Sequence, residues 1–129
     1  MNNIDRVKYW IDLATDDLST AKILFKKRKL LFSGFLCHLT IEKGLKALVA
    51  KTTPTPPKSH DLEELAKKAN VYDIMSEEQK DFIDTLQPLN IEARYPAYKE
   101  NISSSLDKTT CKEILKETEI LLKWIKTQL

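Results

Sequence analysis

Glycine is scarce in this 129-residue chain, with 2 copies against 5 prolines. So few glycines argue against a turn-rich sandwich or barrel, and against a glycine-rich loop that cradles phosphate. Cysteine is equally scarce. Cys37 and Cys111 do not make a disulfide framework, and neither has a second cysteine at metal-ligand spacing. Net charge is almost absent, at +2 from 21 basic and 19 acidic residues. That balance argues against generic nucleic-acid binding through phosphate neutralisation. No run approaches the ~20 apolar residues of a membrane-spanning helix. Met1 to Tyr9 carries charges without an apolar core, so no signal peptide and no membrane partner are expected. A reducing cytoplasm is the expected compartment.

What is present is a core-forming composition, 42% hydrophobic and 31% charged, in a length that fits one domain, residues 1–129. The apolar residues recur at helical period. Trp10, Leu13, Ala14, Leu18, Ala21, Leu24 and Phe25 form one stripe, predicting a helix over about 3–28, with Asp17 at its margin. From Leu30 to Lys51 the apolar residues cover more than one face, which predicts a central helix. That helix also carries His38, Glu42, Lys43 and Lys46, and polar groups on a central helix cost free energy unless paired. Glu42 and Lys46 stand four apart with the acid first, the favourable order for an ion pair. The basic run Lys26 to Lys29 reads as a solvated helix end, with an RNA or partner contact as the alternative.

Thr52 to Pro57 contains three prolines and predicts a stiff, extended loop. Ser59 or Asp61 caps a short helix to about Ala69. Ser76 and Gln79 match a capping box that opens a fourth helix, with Pro88 as its limit. Residues 88 to about 106 read as an ordered loop, and a last helix starts at Thr110 or earlier at Asp107. No strand alternation is visible. The expected fold is all-α, an antiparallel up-and-down bundle of four or five helices.

Chemistry-bearing residues are few: 2 histidines, His38 and His60, and three arginines, Arg6, Arg28 and Arg94. His38, on an apolar helix, reads as structural. No histidine pair, nucleophile elbow or phosphate loop implies a metal or a cofactor.

Four segments, in order along nearly the whole chain, resemble the HEPN domain family. Phe35-Leu36-Cys37-His38-Leu39-Thr40-Ile41-Glu42-Lys43-Gly44-Leu45-Lys46-Ala47 resembles its second-helix signature. Pro57-Lys58-Ser59-His60-Asp61-Leu62 resembles its "p-x-x-H-D-L" segment, and Glu92-Ala93-Arg94-Tyr95-Pro96 its "x-A-R-Y-P" element. Asp17-Leu18 with Ala21 fits its first helix. The resemblance implies a helical bundle, commonly a homodimer.

Many HEPN domains are metal-independent ribonucleases with an Arg, four to six residues, then a His. This chain departs from that motif: no His follows Arg94, and Arg6 and Arg28 have none at that spacing. A branch encoded beside small nucleotidyltransferases, in toxin-antitoxin-like pairs, resembles it better. That branch implies a binding protein for the partner, a nucleotide or RNA.

The implied pocket is Glu42, Lys43, Lys46, His60, Asp61, Arg94 and Tyr95. Lys43, Lys46 and Arg94 would meet phosphates, Glu42 and Asp61 would orient base or ribose, and Tyr95 would stack on a base. Two alternatives stay open. One is a ribonuclease with a rearranged site, His60 as general base and Arg94 or Lys46 stabilising the phosphorane. The other is a non-catalytic dimeric interaction protein, in which Glu42–Lys46 and Asp61–Arg94 are salt bridges that set the bundle's register.

Overall fold

A computed structural model describes residues 1–94 and 106–129, with backbone alone over 91–94. Five helices make up the described residues: α1 (Asn3–Lys26), α2 (Leu30–Ala50), α3 (Leu62–Lys68), α4 (Glu77–Arg94) and α5 (Lys108–Thr127). One 3₁₀ turn, Tyr72–Ile74, sits between α3 and α4. The described residues contain no strand.

Local chemistry starts the helices. Asn2, Asp61 and Asp107 each accept a backbone N–H three residues on, which satisfies donors that a helix leaves open at its N-terminus. Ser76 and Gln79 form the reciprocal capping box: Gln79 Oε1 accepts from Ser76 N at 2.8 Å, and Ser76 Oγ accepts from Gln79 N at 3.1 Å. The α1–α2 turn closes with Lys29 N–H donating to Leu24 O at 2.9 Å. Arg28 takes the left-handed conformation that this closure needs, at φ 59°. All four basic residues of that turn are exposed.

Packing makes α2 the axis of the bundle. Fifteen of its 21 residues are buried, and α1, α4 and α5 all lean on it. α1 and α4 run antiparallel to α2. α5 runs parallel to it, since Leu30 meets Cys111 and Gly44 meets Leu122 and Ile125. This is the up-and-down arrangement. At Gly44 the approach is close: an added Cβ would stand 3.2 Å from Leu122 and 3.3 Å from Ile125. Cys37 is wholly buried, and burial pushes its thiol up to about 12.

One boundary differs from expectation. The fourth helix does not stop at Pro88; α4 continues to Arg94, so the first part of the expected loop is helical. An interior proline costs roughly 3 kcal/mol. Here Ile83, Leu86, Leu89 and Asn90 are buried on both sides of it, and Pro88 itself faces outward. Core contacts on either side of the proline therefore outweigh the lost backbone bond. The rest of that loop, 95–105, lies outside the described residues.

Candidate functional site

The polar side chains of α2 meet the loop before α3. Glu42 is the hub. Its carboxylate accepts from His60 Nδ1–H at 2.8 Å on Oε1 and from Lys46 Nζ at 3.1 Å on Oε2. The Glu42 and Lys46 side chains are only 4% and 8% exposed, whereas the His60 side chain is 47% exposed. A buried ion pair thus supports a histidine at the surface. Holding Nδ1–H on a carboxylate selects the ring tautomer whose Nε2 carries the free lone pair. That Nε2 has no hydrogen-bond partner among the described residues.

His38 lies one turn before Glu42 and is fully buried. Burial pushes its imidazole down to about 4, against the partial opposing pull of Glu42, so the ring is neutral at pH 7. Its Nε2–H donates to the His60 peptide oxygen at 3.1 Å. Its Nδ1 then carries a lone pair with no donor among the described residues, 3.7 Å from Glu42 Oε1. The same His60 oxygen accepts from Gln87 Nε2 at 3.1 Å, and Gln87 Oε1 accepts from Leu62 N at 2.9 Å. α1 supplies the last wall: Trp10 sits with its ring centroid 5.6 Å from Lys46 Nζ, and Tyr9 meets Trp10 edge-to-face at 5.5 Å.

Of the seven residues expected at the site, the fold joins Glu42, Lys46 and His60 in one network. Lys43 turns to α1, with Nζ 2.6 Å from Asp17 Oδ2. Asp61 is exposed and serves as the α3 cap, with Oδ1 3.1 Å from Glu64 N. Arg94 closes the backbone of α4, seven residues after Gln87 and so about 10 Å further along the axis. It lies toward the N-terminal end of α2, because α4 is antiparallel and Leu89 is already level with Gly34. Tyr95 lies outside the described residues.

Three members were not expected there: Trp10, read as one of an apolar stripe, His38, read as a core residue, and Gln87. A signal existed for one of them. His38, Glu42 and Lys46 are each four apart, a polar row on one face of α2.

One other surface shows the contrast. A cleft of about 290 Å³ lies at the far end of α2, among Leu48, Lys51, Lys68, Asn70 and Gln128. Its cations are already engaged, Lys51 Nζ with Gln128 O at 3.0 Å and Lys68 Nζ with Glu64 at 3.4 Å. No group of three His, Cys, Asp or Glu among the described residues is arranged to hold a metal ion. No helix there is long and apolar enough to cross a membrane. The family model described as HEPN domain matches residues 7–128, nearly the whole chain. No curated protein and no solved structure matches it.

Proposed function

The chain belongs to the HEPN family, and on that premise we propose that it is a binding module for a nucleotide or an RNA strand. It acts as a homodimer beside a small nucleotidyltransferase, in a two-component, toxin-antitoxin-like system. The observation that carries this reading is the surface histidine His60, held by a buried carboxylate that also pairs with Lys46, whose amine lies 5.6 Å from the Trp10 ring centroid. A surface histidine backed by a buried ion pair, with an indole next to that pair, suits a phosphorylated ribose with its base. The ring nitrogen, an acceptor in the tautomer that Glu42 selects, meets a ribose hydroxyl, and the indole offers a stacking face. The family resemblance adds Arg94 as a bidentate phosphate contact and Tyr95 as a second stacking group.

Calorimetric titration with the four ribonucleoside triphosphates and a short single-stranded oligoribonucleotide tests the reading. Binding by the wild type that weakens at least tenfold in both His60→Ala and Arg94→Ala supports it. Identical titrations for all three proteins reject it.

A second reading has one specific observation in its favour. Nδ1–H of His60 on Glu42 leaves Nε2 as a proton acceptor, the orientation a general base requires. A metal-independent ribonuclease would use it on a ribose 2′-hydroxyl. RNA cleavage in EDTA that vanishes in His60→Ala favours this reading, and intact RNA removes it.

A further inference from the structure

His60 belongs to a stretch without regular backbone hydrogen bonds, following the prolines of the α2–α3 loop. In such a stretch a carbonyl is ordinarily left to water. The His60 carbonyl instead receives two side-chain donors from two different helices, His38 Nε2–H on α2 and Gln87 Nε2–H on α4, each at 3.1 Å. Gln87 completes a two-point grip by accepting Leu62 N–H at 2.9 Å. The grip is costly. It leaves a buried acceptor, His38 Nδ1, unsatisfied and 3.7 Å from a carboxylate oxygen. A site that needed only packing would be better served by leucine.

We propose that His38 and Gln87 are positioning residues. They hold the backbone of His60 so that its ring keeps Nδ1–H on Glu42 and offers the ligand Nε2 alone. The imidazole turns about two bonds, and its neutral form exists as two tautomers. With the peptide free, the ring leaves the carboxylate and presents either nitrogen. With the peptide clamped, one orientation and one tautomer remain. Specificity then follows: the site takes ligands that place an O–H donor opposite Nε2, such as a ribose hydroxyl. This inference rests on His60 being the ligand-facing group of the site.

Long-range ¹H–¹⁵N correlation NMR of the imidazoles at pH 8, where an ordinary histidine is neutral, tests the clamp without any ligand. The wild type is expected to show His60 solely as the Nδ1–H tautomer and His38 solely as Nε2–H. His38→Phe fills the volume without a donor, and Gln87→Ala removes the second donor. Each is expected to turn His60 into a mixture of tautomers. His38→Gln restores the single form, because its amide nitrogen stands near the lost Nε2. A single Nδ1–H tautomer persisting in both His38→Phe and Gln87→Ala overturns the proposal. Should His38→Phe fail to fold, Gln87→Ala, at a half-buried position, decides alone.

Titration with AMP and with a short single-stranded oligoribonucleotide then separates the two claims. Affinity lower by about three- to tenfold in Gln87→Ala, roughly the worth of one hydrogen bond, completes the case. A tautomer change in the variants with no binding by the wild type leaves the clamp standing and rejects the binding function.

Discussion

The two halves of α2 answer their polar groups differently. In the N-terminal half the groups are neutral, and backbone carbonyls take them up. Ser33 Oγ donates to Ala21 O at 2.8 Å, and Thr40 Oγ1 to Leu36 O at 2.8 Å. In the C-terminal half the groups are charged, and other side chains take them up: Glu42 with Lys46 and His60, Lys43 with Asp17. A bundle that needs only register can use the first kind, since a hydroxyl bonded to a carbonyl costs little when buried. The second kind brings a desolvation penalty that apolar packing would avoid. The difference teaches where to look for function. The costly half is the one that reaches the surface at His60.

Glu42→Ala should break this comparison most severely. It strands Lys46 as a buried charge, so a loss of about 3–5 kcal/mol is expected, read as the urea midpoint. The double variant Glu42→Leu/Lys46→Met sharpens the point by removing both charges together. It should recover most of that stability while nucleotide or RNA binding stays lost. Full binding by the double variant would mean that the pair serves the fold alone.

His38 stands close to the border between the halves, and it makes the difference pH-dependent. Burial lowers its folded value to about 4 from 6.5. Between those values the unfolded chain binds the extra proton, so stability is complete above pH 6.5 and falls as the pH drops toward 4. The shift corresponds to a loss of about 3 kcal/mol at the acid end. Urea unfolding from pH 7 to pH 4 should show this slope in the wild type and a flatter one in His38→Gln. Parallel slopes for the two proteins would show that His38 takes up its proton as readily in the folded chain as in the unfolded one.

How much of this was legible in the sequence depends on distance along the chain. The stripe from Trp10 to Phe25 and the Ser76–Gln79 box repeat or pair within one or two turns, and both appear where the pattern puts them. The continuation of α4 past Pro88 was hidden, because the burial of Leu86 and Leu89 that sustains it comes from tertiary packing. The site divides in the same way. Glu42–Lys46 is an i,i+4 pair and readable from spacing. His60 reaches Glu42 across 18 residues, and Gln87 reaches His60 across 27. No local rule predicts either contact. Trp10 was hidden for another reason: an amphipathic aromatic at the edge of an apolar stripe looks the same in sequence whether it faces the core or a cation.

Ser33→Ala tests the inexpensive half with the smallest expected effect. Ser33 is fully buried, and its hydroxyl adds a second bond to Ala21 O, a carbonyl within α1. Removing it leaves no charge unpaired and no strong acceptor stranded, because the helical N–H four residues on still serves that carbonyl. Alanine also favours the helix slightly more than serine does. The net loss should be about 1 kcal/mol or less, seen as a lower urea midpoint at unchanged slope. The His60 tautomer and ligand titrations should match the wild type, since Ser33 lies more than two turns of α2 from Glu42. A stability loss as large as that of Glu42→Ala, or a change at His60, would show that the two halves are mechanically coupled and that burial of charge alone does not mark the site.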